Sequence, residues 1–190
     1  MNLKPFFVQF IAFSVFVFFT VFTVGIAGAK QKRLQVVEYG EEKVDSIEKK
    51  GFVKLFKTHV WKTTKVDGRF FCKEANTGQL DIIGPTVIED STIRGRAVVT
   101  GAVTVKNTTF IENFEITGKK AYFYGCTVNS VFIFRPKGYT GKLVLEARDN
   151  TFLKGSVIFE SGEGEVILKN GSRIRGAVIN GRILSQLLSP

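Results

Sequence analysis

Residues 80–190 repeat a short pattern, and repetition of this kind restricts a chain to few architectures. A polar pair is followed by Thr or a substitute and then by an apolar residue. The instances are Asp90-Ser91-Thr92-Ile93, Asn107-Thr108-Thr109-Phe110, Gly125-Cys126-Thr127-Val128 and Asp149-Asn150-Thr151-Phe152, with a looser fifth at Asn170-Gly171-Ser172-Arg173-Ile174. Their apolar ends are 17, 18, 24 and 22 residues apart. β-type runs such as Ala102-Val103-Thr104-Val105 and Val166-Ile167-Leu168 precede the pattern, and others such as Ala97-Val98-Val99 and Ala177-Val178-Ile179 follow it. Gly101, Gly118, Gly162 and Gly181 close most periods. One period thus holds two or three very short strands, with no run of helical length. A sandwich does not require successive strands to resemble one another. A parallel β-helix does, because each coil rests on the one before and like residues stack. The pattern predicts an all-β fold, a short right-handed parallel β-helix of about five to six coils, roughly 25–30 Å tall at the spacing of paired strands.

The corners of such a coil take Asn, Asp and Gly, which tolerate a left-handed backbone. Asn107-Thr108-Thr109 and Asn170-Gly171-Ser172 also match glycosylation sequons, but stacked corner residues bonding between coils explain them as well. Asp90 and Asp149 do not build the dense Asp/Gly ladder of calcium-binding repeats. Arg94, Arg96, Arg173 and Arg175 flank near-equivalent corners, as a basic edge or as a solvated rim. The longest period contains an insertion, Arg135-Pro136-Lys137-Gly138-Tyr139-Thr140-Gly141. Inserted loops often carry binding groups, and Arg135, Lys137 and Tyr139 would suit a carbohydrate or an acidic partner.

Residues 5–29 carry no charge and include eight of the chain's 19 Phe. They end in Ala27-Gly28-Ala29, a small-x-small pattern that a signal peptidase reads after Ala29. The stretch is also long enough to span a bilayer, and Lys30, Lys32 and Arg33 follow it. A cleaved signal, a retained anchor facing the exported side and a retained anchor facing the cytoplasm all remain open, because the flanking charges are nearly even. The expected location is periplasmic or inner-membrane-anchored, on the exported side.

Residues 30–79 hold twelve of the 27 Lys and Arg, in a chain of net charge +10. Residues 41–50 contain good helix formers, with Gly51 as a stop. Two strands joined by a turn at Val66-Asp67-Gly68-Arg69 fit the alternation that follows, and Asn76-Thr77-Gly78 marks a second turn. The expected organisation is therefore a hydrophobic segment (1–29), a small mixed α+β basic region (30–79) and a β-helix with a capping tail (80–190). In that tail Ile183-Leu184 and Leu187-Leu188 are spaced for a short helical face. Lys49, Lys50, Lys54 and Lys57 are candidates for a basic face holding an anionic glycan, peptidoglycan or lipid headgroup. No nucleic-acid partner is expected of an exported chain.

One His and two Cys exclude a Cys/His zinc module, and no metal or cofactor site is expected. His59 lies in a strand-like run and reads as structural. There is no nucleophile elbow, phosphate loop or well-spaced carboxylate pair; Glu112 and Glu115 are the nearest candidates for glycan hydrolysis. Cys72 and Cys126 would be free to pair in an oxidising compartment, although a small buried thiol would equally suit the corner at Cys126.

Segments such as Thr92-Ile93-Arg94-Gly95-Arg96-Ala97-Val98-Val99-Thr100-Gly101 and Ser172-Arg173-Ile174-Arg175-Gly176-Ala177-Val178-Ile179-Asn180-Gly181 resemble bactofilin-type, polymer-forming β-helix proteins. The resemblance covers about residues 80–183. It implies a small bacterial scaffold whose rods stack end to end. The expected function is that of a non-enzymatic structural or assembly protein of the bacterial cell envelope, a docking component in a larger complex such as a secretion apparatus. Its partners would be other envelope proteins or further copies, met through the β-helix ends. The alternative is an exported binding module for an anionic glycan or lipid.

Overall fold

The computed structural model describes residues 36–185, which wind into a parallel β-solenoid with no helix among them. Every strand pair is parallel, and a nine-stranded sheet marks nine coils. At the spacing of paired strands the stack is about 40 Å long. Each coil has three sides. The first belongs to the nine-stranded sheet, for example Val103–Lys106. The second is a two-residue strand such as Thr109–Phe110, and these form a short row. The third is a strand such as Phe114–Thr117, and these form a broad row.

The alternation of side chains builds the core. Register places Val60, Thr77, Ile93 and Phe110 in one inward column of the short row. Leu80, Ala97, Phe114, Val131 and Val157 form another in the broad row. Leu55, Cys72, Ile88, Val105 and Phe123 form a third in the nine-stranded sheet. These inward residues are buried, and the outward neighbours between them are partly or fully exposed. Facing columns fill a narrow interior, where the rings of Phe110 and Phe114 stack at 4.5 Å and those of Phe114 and Phe123 at 5.7 Å. Such offset stacking adds to the area buried.

The corners explain the repeat. Where the nine-stranded sheet meets the short row, Lys57, Glu74, Asp90, Asn107, Gly125 and Asn150 all have φ between 46° and 63°. A small residue follows each: Thr58, Ala75, Ser91, Thr108, Cys126 and Thr151. Its side chain faces inward, and all but Ala75 use it to tie neighbouring coils. Thr108 Oγ1 donates to Lys106 O at 2.7 Å and accepts from Ser91 N at 3.3 Å, and Thr151 Oγ1 accepts from Cys126 N at 3.1 Å. Outside, Asn107 donates to Asp90 at 3.1 Å and Asn170 to Asp149 at 2.9 Å. The stacked-corner reading of the Asn and Thr residues therefore holds.

Several expectations are corrected. The solenoid has about nine coils, not five to six, because residues 36–79 are coils of the same stack. Residues 41–50 are not helical: they form Lys43–Val44 and Ile47–Lys50, which pair with His59–Asp67. A helix there would lack a continuous apolar face, whereas the strand buries Ile47 to 2% exposure. The turn at Gly68 does not close a hairpin. It is a coil corner, since Phe70 pairs in parallel with Val53 and Thr86. A left-handed glycine sets only the local bend; the partner strand lies a whole coil away. Asn76-Thr77-Gly78 is not a turn but the start of the strand Asn76–Ile83. Ile183 and Leu184 lie in the strand Gly181–Ser185, not on a helical face. Finally, Val128 pairs with Leu153 and Leu153 with Ile174, so Leu153 takes the inward place expected for Phe152. The extra residue is taken up at the corner, where Asp149 (φ 57°) and Asn150 (φ 61°) are both left-handed.

Candidate functional site

The residues singled out in the sequence do not converge. Lys49 and Lys50 end a broad-row strand, Lys54 faces outward on the nine-stranded sheet, and Lys57 stands on a corner. Lys54 pairs with Glu38 at 3.3 Å and Lys57 with Glu41 at 3.1 Å. Arg135 is turned to internal use: it donates to Ser161 Oγ at 2.9 Å and to Gly141 O at 2.6 Å, pinning the inserted loop. Tyr139 packs against the core and donates to Lys142 O at 3.1 Å, with Lys119 4.9 Å from its ring centroid. Lys137 remains exposed at the loop tip. Ala27 and Ala29, with the hydrophobic segment, lie outside the described residues, as do Leu187 and Leu188.

Cys72 and Cys126 are both free and buried. Three coil steps separate them, or about 14 Å along the stack, beyond the span of a disulfide. Burial pushes the Cys72 thiol up to about 12, opposed by its contact with Ser91, and that of Cys126 up to about 11. Thiolate is the reactive form, so neither Cys should react with iodoacetamide at pH 8 until the protein is denatured, when both should. Mass spectrometry of protein labelled before and after denaturation checks this, and labelling of the native protein at either position would contradict the burial described.

Among the described residues no group of three His, Cys, Asp or Glu is arranged to hold a metal. Glu115 is engaged by Arg96 through two bonds of 2.7 and 2.5 Å. Glu146 is buried in the outward column of the nine-stranded sheet. Burial raises its pKa, but hydrogen bonds from Lys169 and Arg148 outweigh this and leave the carboxyl below its ordinary value. These are structural ion pairs.

One corner differs from the rest. The strand His59–Asp67 carries an irregularity between Val60 and Thr63, where the short row meets the broad row. Bulges re-aim side chains, and here Trp61 turns out to 54% exposure. The His59 ring lies 4.0 Å from it, and the Arg94 guanidinium 5.5 Å from its centroid. Arg94 donates to Val60 O at 3.1 Å and meets His59 Nε2 at 3.3 Å. Desolvation, then the charges of Arg94 and Lys43, lower the His59 pKa. The imidazole is thereby kept neutral, able to accept from Arg94. Trp61, Lys62, Thr63, Gly78, Gln79, Arg94 and Gly95 line an open depression of about 430 Å³. Among the described residues, the buried side-chain polar atoms without a hydrogen-bond partner are Thr64 Oγ1, Asn76 Oδ1, Thr77 Oγ1 and Arg94 Nε. All four belong to the three adjacent coils around this corner.

Sequence reasoning placed His59 correctly as a strand residue, with Arg94 beside a corner. It missed their meeting. His59 and Arg94 are 35 residues apart and come together because two coil steps separate them. The signal available was the sole Trp, in a run whose alternation breaks at Trp61-Lys62.

No protein-family model, no curated protein and no solved structure matches this chain. The likeness to bactofilin-type proteins extends as far as the parallel β-solenoid itself.

Proposed function

We propose that this chain is a non-enzymatic scaffold of the bacterial cell envelope, a rigid rod that joins other proteins or further copies through its end. The observation that carries this reading is the last coil. Ile174 and Val178 are only half-buried, Ile183 is 46% exposed and Leu184 39%. The strand Gly181–Ser185 pairs on one edge, with Gly164–Leu168. An apolar coil whose other backbone edge pairs with no strand among the described residues is a template for strand addition. The bactofilin-type likeness supports the same reading, and the uncharged segment 5–29 supports an envelope address. Glu115 and His59 are occupied in structural contacts, which favours support over catalysis.

The test is light scattering across a concentration series. Oligomers that grow with concentration, and that vanish in Val178→Lys/Ile183→Lys, are the expected result for self-stacking. A monomer at every concentration, with no envelope protein recovered on cross-linking in cells, would remove the reading.

A further inference from the structure

We propose that the depression beside Trp61 binds an acidic saccharide, with the Trp61 indole as the platform for a sugar ring and Arg94 as the partner of its carboxylate. This goes beyond the scaffold reading and does not depend on it. The chain has a single Trp, and the strand irregularity at Val60/Thr63 holds it on the surface rather than in the core. The glycines of its lining let the coils approach closely there: a Cβ at Gly78 would stand 2.0 Å from Lys62 O, and one at Gly95 would meet the Gln79 side chain at 2.9 Å.

Charge points to an acidic ligand. Arg96, Arg148 and Arg182 each hold a Glu. Arg94 has no carboxylate partner among the described residues, and its Nε is buried without an acceptor. Lys62 is taken up by Asp45 at 2.9 Å, so the guanidinium is the unneutralised charge of the site. A planar guanidinium matches a carboxylate in geometry as well as charge. Gln79 and Thr63 add an amide and a hydroxyl, which donate and accept and so suit sugar hydroxyls. A pyranose sets its C–H face against an aromatic ring and its hydroxyls outward. A uronic-acid residue supplies all three complements at once.

The native protein is titrated with tri-galacturonic acid while Trp61 fluorescence is followed, since the only Trp is the site itself. Saturable quenching is expected, and maltotriose, the neutral counterpart, should bind about tenfold or more weakly. By calorimetry, Arg94→Gln and Trp61→Ala should each weaken binding about tenfold or more, the loss of one charge-assisted bond or one platform. Gln79→Ala should weaken it several-fold, and because Gln79 is exposed it keeps the test valid should Arg94→Gln unfold. The proposal is overturned by absence of saturation at about 10 mM ligand, by equal affinity for maltotriose, by tighter binding of AMP, or by folded variants that bind as well as the native chain.

Discussion

Phe114→Ala is expected to destabilise the solenoid by about 4 kcal/mol, the range for deleting a fully buried aromatic ring. Phe114 is fully buried, stacked between Phe110 at 4.5 Å and Phe123 at 5.7 Å. Its removal leaves a void facing all three sides of the coil, and the rigid ladders on either side cannot close over it. Because each coil touches only its neighbours, the loss should be local before it is global. Hydrogen exchange should quicken first in Phe110, Phe114, Phe123 and the strands that pair with them. Ile111→Ala is the control: Ile111 is 55% exposed, and its truncation should fall within about 0.5 kcal/mol of the native stability. Equal effects at the two positions, read from denaturant midpoints, would contradict the packing described.

Gly84→Ala should cost about 3 kcal/mol or more, through backbone rather than packing. Gly84 has φ +142°, a region that side chains rarely adopt, and an added Cβ would stand 2.1 Å from Gly68 O. The same contact recurs down the corner between the broad row and the nine-stranded sheet. A Cβ at Gly68 would stand 1.9 Å from Gly51 O, and one at Gly101 2.5 Å from Gly84 O. Strain in such a conformation alone is about 1–3 kcal/mol, and the clash demands that two coils part. Gly162→Ala, where nothing lies within 4 Å of the new Cβ, should be neutral or slightly stabilising, by up to about 1 kcal/mol through the unfolded chain. Thermal melting of the two variants separates them. A Gly84→Ala protein as stable as Gly162→Ala would mean that the coils do not approach as closely as described.

The coils from Asp90 onward were readable because their corners use Asp, Asn or Gly before a small polar residue. The earlier coils use Lys57-Thr58 and Glu74-Ala75 at the same places, with φ of 50° and 52°. Lys and Glu are not turn signals, so the pattern was hidden there. Thr77, buried in an inward column between Val60 and Ile93, concealed it further, since a polar residue in the core breaks the apolar alternation. Residues 41–50 looked helical because propensity is a local preference, which pairing with His59–Asp67 overrides.

The candidate site was less legible than the fold. Arg135 and Tyr139 looked available for a partner, yet both are consumed in holding their own loop. Lys54 and Lys57 looked like a basic face, yet each meets an acid one coil away, at Glu38 and Glu41. Ion pairing across coils depends on a register of 16 residues here, which sequence spacing did not reveal before the early coils were known.

The sequence by itself determined the parallel stack and the role of its corners. Like residues at a near-constant interval can all be buried, and all their left-handed positions tolerated, only if coil lies on coil. The tertiary structure decided how far that stack extends, which strand is inward at Leu153, and that His59, Trp61, Gln79 and Arg94 share one corner. Those facts depend on register between coils, and register is set by summed packing and hydrogen bonding over the whole ladder rather than by any one segment.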